Sequence, residues 1–142
     1  MACNDFSIKL LFAEDDASVR NFIPRVVSIL LQDRKLDIEL FPDGTSLVER
    51  LDKGISAPGV VITDNDMPGY FGKQIIQSYS SRPDFASIPF VLISADSCSP
   101  KELESIGAYS YLSKPFNIRD FGEVLNRAID YSIQKSKDQN EK

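Results

Sequence analysis

The stretch Val60–Gly69, VVITDNDMPG, decides the fold: Val60–Thr63 is an apolar run of strand length, Asp64 closes it, and Met67-Pro68-Gly69 marks a turn. Runs of the same kind recur at Ile8–Ala13, Ile38–Phe41, Phe90–Ser94 and Tyr109–Leu112, the second of them short and charged. Segments of helical period lie between them, and strands alternating with such segments fold as a parallel sheet with helices on both faces. Right-handed crossovers wrap the chain into a doubly wound α/β fold, whose ligands sit beyond the carboxyl ends of the strands. Functional side chains are therefore expected just after each strand.

The helical segments are specified to different degrees. Val19, Phe22, Ile23, Val26, Val27, Leu30 and Leu31 recur at helical spacing and predict one inward face, with a kink expected at Pro24. Residues 44–53 predict a short helix that buries Leu47, Val48 and Leu51 and stops at Gly54. A further helix over residues 72–80 turns Ile75, Ile76 and Tyr79 inward. Ser99, Pro100 and Glu102 have the spacing of N-cap, N1 and N3 in a capping box, with Gly107 as the stop. In the last helix Asn117 is the cap, Phe116 and Phe121 form a hydrophobic staple, and Phe121, Val124, Leu125, Ala128, Ile129 and Ile133 make the apolar stripe. Five β–α units in series form one domain over residues 1–133, and the polar tail 134–142 is expected to be disordered or a fraying helix end.

Composition narrows the function classes. The length of 142 residues suits one ordinary domain, and 42% apolar with 26% charged residues is a globular balance. No apolar run approaches the roughly 20 residues needed to cross a bilayer, so no membrane partner is expected. The N-terminal MACNDFSIKL has no basic n-region and no small-residue cleavage pattern, so it predicts no secretory signal and a cytoplasmic location. Histidine is absent and Cys3 and Cys98 lack CxxC spacing, which removes Cys/His zinc sites and any histidine base and predicts reduced, structural thiols. A net charge of −5 without a basic stripe predicts no direct nucleic-acid partner.

Reading the strand ends gives Glu14-Asp15-Asp16 after the first strand, Asp64 after the third, Ser94 after the fourth and Lys114 after the fifth. Carboxylates gathered without a counter-charge repel one another, whereas a hard divalent ion binds their oxygens and leaves room for phosphate oxygens, so Mg²⁺ is the natural partner. Phosphoryl transfer needs a nucleophile, alignment and charge neutralisation, for which a carboxylate, Mg²⁺, a lysine and a hydroxyl suffice. Each residue alone also has an ordinary structural role, as a helix start, a turn or a satisfied hydroxyl. Their joint placement at successive strand ends, in order, is what points to one site.

The strings LLFAEDDASVR, VVITDNDMPG, FVLISA and YSYLSKPF together resemble the signature regions of response-regulator receiver domains of two-component signalling, over roughly residues 7–133. The resemblance implies a flavodoxin-like, five-stranded parallel sheet of order 2-1-3-4-5 with five helices. It implies that Asp64 is the phospho-acceptor, that Glu14, Asp15, Asp64 and the carbonyl of Asp66 hold Mg²⁺, and that Ser94 and Lys114 contact the phosphoryl group. Ser94 and Tyr111 would form the switch, and Asp66 and Asp96 would border the path of the hydrolytic water. A sensor histidine kinase or phosphotransfer protein is the implied donor, with output through helix 4, strand 5 and helix 5. No effector domain follows the last helix, so the output is expected to pass through an unidentified partner or a region outside this chain. Receivers catalyse only their own phosphorylation and dephosphorylation and are not turnover enzymes.

This chain departs from the family pattern at Glu14, at Ser94 where threonine is commoner, at Phe71 where many relatives carry Asp, and at Pro24. Two other readings differ in class. A haloacid-dehalogenase-like phosphatase would use Asp64 as nucleophile and Asp66 as general acid, although Pro68 does not fit that pattern. A pseudo-receiver would keep the fold and bind partners without being phosphorylated.

Overall fold

The computed structural model describes residues 7–56 and 58–140, so the expectation for Cys3 lies outside the described residues. Strands β1 (Ile8–Ala13), β2 (Leu36–Phe41), β3 (Gly59–Asp64), β4 (Phe90–Ser94) and β5 (Ser110–Ser113) pair in parallel in the order β2-β1-β3-β4-β5. Helices α1 (Ala17–Leu30), α2 (Gly44–Asp52), α3 (Gly72–Tyr79), α4 (Pro100–Ile106) and α5 (Ile118–Asn140) follow the strands in turn. Because the chain passes from β1 out to β2 and back to β3, the strand order reverses between β1 and β3, and the carboxyl ends there form the crevice that binds ligands in such sheets.

Alternation along the strands divides the core in two. Leu10, Phe12, Val60, Ile62, Val91 and Ile93 pack with Ile23 and Val27 of α1 and Leu125 and Ile129 of α5. On the other face Leu11, Val61, Phe90 and Leu92 meet Leu47 and Leu51 of α2, Ile75 and Ile76 of α3 and Ile106 of α4. Each such side chain contributes about 1.5–3 kcal/mol by leaving water. With both faces covered, the central strands read as continuous apolar runs.

Several local expectations change. Phe22 has the spacing of the inward face of α1 but is 52% exposed. It lies about 100° around the helix from Ile23, at the margin of the stripe that Ile23, Val26 and Val27 centre on. β2 begins two residues earlier than its apolar run, because Lys9 pairs with Asp37 and Arg50 with Glu39 on this half-exposed edge strand. Tyr109 falls just outside β5, although its amide still donates to the Phe90 carbonyl, and its ring packs on Tyr131. Ser99 caps α4 through the Glu102 amide, yet the reciprocal half of the capping box is not made, since the Glu102 carboxylate pairs with Lys73 at 2.8 Å. α5 continues as helix through Asn140, so residues 134–140 are helical.

The remaining signals appear as read. Gly107, at φ 86°, ends α4 in the left-handed conformation that glycine adopts without cost. Asn117 caps α5 through the Asp120 amide at 2.8 Å, and the Phe116 and Phe121 rings stack with centroids 5.6 Å apart.

Candidate functional site

Strand geometry carries the acids to one rim. Asp64 is the last residue of β3 and pairs with Ile93 of β4, and Glu14 follows β1, where its amide donates to the Phe41 carbonyl at 2.9 Å. Glu14 and Asp64 are buried, 1% and 3% exposed, while Asp15 is exposed. One carboxylate oxygen from each of Glu14, Asp15 and Asp64 lies within 4.8 Å of the others.

Lys114 closes the group from the far side of the sheet. Its amide donates to the Ser94 carbonyl at 2.9 Å, which fixes the start of the β5–α5 loop against β4. Its Nζ stands 3.0 Å from Asp64 Oδ2 and 3.1 Å from Glu14 Oε1. Burial works against the ammonium charge, but hydrogen bonds to Asp64 and Glu14 and the attraction of both carboxylates outweigh it and raise the Lys114 pKa. Burial, and then the charge of Asp64, push Glu14 up to about 7 against the opposing hydrogen bond from Lys114. One ammonium therefore does not fully offset the acids.

Metal fit follows from the donors. Three carboxylates supply hard oxygen ligands, and Glu14 Oε1 is buried without an aligned hydrogen-bond donor despite its nearness to Lys114. A buried carboxylate oxygen left in that condition is costly, and a hard divalent cation satisfies it. The residues fit Mg²⁺.

The other expected residues surround this centre. Asp66 is exposed, and its amide is 3.5 Å from Asp64 Oδ1. Ser94 is buried at the end of β4, where its hydroxyl accepts from the Asp96 amide at 3.1 Å. Tyr111 on β5 is half-buried and donates from its hydroxyl to the Asp96 carbonyl at 2.6 Å. Asp96 itself is exposed, on the β4–α4 loop. Glu14, Asp15, Asp64 and Lys114 are thus in mutual reach, Ser94 joins them through the Lys114 backbone, and the Tyr111 hydroxyl reaches the Ser94 carbonyl at 3.4 Å as well as Asp96.

Two residues here carry no role in the sequence reading. Arg20 reaches back from α1 to the carbonyls of Glu14 and Asp15, at 2.8 and 3.1 Å. Asn65, directly after Asp64, accepts from the Lys73 amide through its side chain and from the Gly72 amide through its carbonyl, both at 3.0 Å, so it ties α3 to the Asp64 loop. An arginine one turn into a helix that follows three acids, and an amide side chain between two acids, were the available signals.

Comparison with known proteins identifies the family and the fold. The family described as response regulator receiver domain matches residues 10–126. The chain is 28% identical over 130 residues to the 3',5'-cyclic-nucleotide phosphodiesterase regA of Dictyostelium discoideum, covering 89% of this chain and 15% of that protein. It is 28% identical over 120 residues to the chemotaxis protein CheY1 of Helicobacter pylori, covering 83% of this chain and 94% of that one. The solved structure of the chemotaxis response regulator CheY4 of Vibrio cholerae superposes with a TM-score of 0.70 at 25% identity, covering 87% and 99% of the two chains. The chain thus spans a small part of some relatives and nearly all of others.

Proposed function

This chain belongs to the response regulator receiver domain family of two-component signalling, and we propose that it is a phosphorylation switch whose acceptor is Asp64. A sensor histidine kinase or phosphotransfer protein presents a phosphohistidine to the rim. An Asp64 carboxylate oxygen attacks phosphorus, an O–P bond forms, the P–N bond breaks, and its electron pair returns to the donor imidazole. Lys114 holds the carboxylate in place and offsets charge on the phosphoryl oxygens, and the Ser94 hydroxyl donates to one of them. Glu14, Asp15, Asp64 and the Asp66 carbonyl would hold Mg²⁺, which supplies charge neutralisation and alignment. Water later attacks phosphorus, the Asp64 O–P bond breaks, and the carboxylate and inorganic phosphate are released. Output passes through α4, β5 and α5 to a partner, and we place the chain in the cytoplasm. No helix among the described residues is long and apolar enough to cross a membrane.

The observation that carries this reading is the Lys114 ammonium standing between two buried carboxylates, 3.0 Å from Asp64 and 3.1 Å from Glu14. Family membership sets aside the phosphatase reading, which needed Asp66 as general acid. Intact mass after incubation with acetyl phosphate and Mg²⁺ is the test. One hydroxylamine-labile phosphoryl group is expected, absent without Mg²⁺ and absent in Asp64→Asn. A protein that takes up no phosphoryl group is a pseudo-receiver, and a label that survives Asp64→Asn lies on another residue.

A further inference from the structure

We propose that Arg20 is a positioning residue for the metal-binding acids, acting through their backbone and not through their carboxylates. The inference rests on the reading of Glu14 and Asp15 as Mg²⁺ ligands. β1 ends at Ala13 and α1 begins at Ala17, so the two acids occupy the short connection between a strand and a helix. The amide side of this connection is well held. Glu14 donates from its amide to the Phe41 carbonyl at 2.9 Å, and Asp16, as N-cap of α1, accepts at one carboxylate oxygen from the Ser18 amide and hydroxyl.

The carbonyl side depends on one group. Arg20 Nη1 carries two protons and donates to both carbonyls, Glu14 O at 2.8 Å and Asp15 O at 3.1 Å. Among the described residues no other donor serves either carbonyl. Since successive carbonyls held by one nitrogen fix the peptide between them, the bond pair sets the direction in which the Glu14 and Asp15 side chains leave the backbone. The orientation matters because one oxygen from each acid must converge with Asp64 within 4.8 Å. Repulsion among three carboxylates would otherwise turn the exposed Asp15 outward.

Charge reinforces geometry. The guanidinium places a positive charge behind the acidic loop, at the backbone side of Glu14 and Asp15. It opposes the acids' mutual repulsion without competing for the metal. Arg20 is itself anchored, because its amide makes the first α1 bond to the Asp16 carbonyl at 3.0 Å. The side chain therefore closes a loop from Glu14 through α1 and back.

Groups that orient ligands without touching the metal typically govern its affinity by tenfold or more. Mg²⁺ titration by calorimetry on wild type, Arg20→Met, Arg20→Lys and the ligand control Asp15→Asn tests the role, with metal-free melting and amide exchange alongside. Arg20→Met is expected to bind Mg²⁺ about tenfold more weakly, to melt within a few degrees of wild type without metal, and to exchange the Asp16 amide, which donates to Glu14 Oε2 at 3.3 Å, faster. Arg20→Lys, which keeps the charge and one donor, is expected to recover part of the affinity. If Arg20→Met loses its fold, the comparison of Arg20→Lys with wild type decides. Wild-type affinity in Arg20→Met, or in Arg20→Lys where that variant decides, overturns the positioning role while leaving the metal site intact. A wild-type protein that binds no Mg²⁺, or an unchanged Asp15→Asn, overturns the metal reading and this proposal with it.

Discussion

Tyr111 and Ser94 both hold Asp96: the Tyr111 hydroxyl donates to its carbonyl at 2.6 Å, and its amide donates to the Ser94 hydroxyl at 3.1 Å. One residue of the β4–α4 loop thus joins the hydroxyl at the end of β4 to the aromatic ring on β5. If Ser94 turns its hydroxyl to a phosphoryl group on Asp64, the Asp96 amide loses its acceptor, and the loop that anchors Tyr111 is freed to shift. A charge-assisted hydrogen bond of this kind is worth roughly 1.5–3 kcal/mol, enough to move a two-state equilibrium about tenfold or more. Ser94→Ala is therefore expected to accept phosphate at Asp64 yet respond poorly at Tyr111. The measurement is the NMR shift of Tyr111 and its neighbours on adding beryllofluoride, and a full response in Ser94→Ala would refute the coupling.

The acidic centre gives a pH dependence with a definite sign. Burial and the charge of Asp64 raise Glu14 from 4.5 to about 7 in the folded protein. Between those values the folded state binds more protons than the unfolded one, so this group's contribution to stability is present at low pH and is lost as pH rises through about 7. Mg²⁺ competes with the same proton and should bind more tightly above that value. Metal-free wild type is expected to melt lower at pH 8 than at pH 6, with Mg²⁺ reversing the loss and Glu14→Gln flattening it. An undiminished slope in Glu14→Gln would place the titrating group elsewhere.

Two exposed acids flank the centre without entering it. Asp66 follows Asp64 by two residues and Asp96 follows Ser94 by two, and both carboxylates are open to solvent. If they border the approach of the water that attacks an acyl phosphate on Asp64, as the family resemblance implies, changing both to Ala is expected to alter the lifetime of phosphorylated Asp64 several-fold while leaving its formation possible. Decay followed by intact mass reads this directly, and equal half-lives in variant and wild type would count against it.

Much of the fold was legible because its signals are local. The strand at Val60–Thr63 announces itself by four apolar or β-branched residues, and Ser99-Pro100 with Gly107 brackets α4 by capping chemistry alone. Legibility fails where a partner distant in sequence decides. Glu102 reads as the second half of a capping box, yet Lys73, 29 residues away, takes its carboxylate. Phe22 fits the apolar spacing of α1, and only the width of the covered stripe leaves it outside. At the site, side-chain types named Glu14, Asp15, Asp64 and Lys114, whereas Arg20 and Asn65 act on backbone groups, and their place beside the acids is the one sign of it in the sequence.

Gly72 offers a test of how tightly the Asp64 loop is packed. Its amide donates to the Asn65 carbonyl at 3.0 Å, and α3 starts in contact with the peptide that follows Asp64. A Cβ built on Gly72 would stand 2.5 Å from the Asp64 carbonyl oxygen and 3.0 Å from Asn65 Cα. Both are backbone atoms, so neither can rotate aside; α3 or the Asp64 loop has to move. Overpacking of this type costs roughly 1–3 kcal/mol, and here the displaced segment carries the proposed nucleophile. Gly54 is the natural control, since a Cβ there meets nothing within 4 Å, and only its φ of +85° makes a side chain unfavourable, by about 1–2 kcal/mol. Gly72→Ala is expected to lower both the melting temperature and the rate of phosphorylation by acetyl phosphate, whereas Gly54→Ala should lower the melting temperature alone. Equal phosphorylation rates in the two variants, at matched stability, would mean that the Asp64 loop absorbs the extra methyl group without disturbing the acceptor.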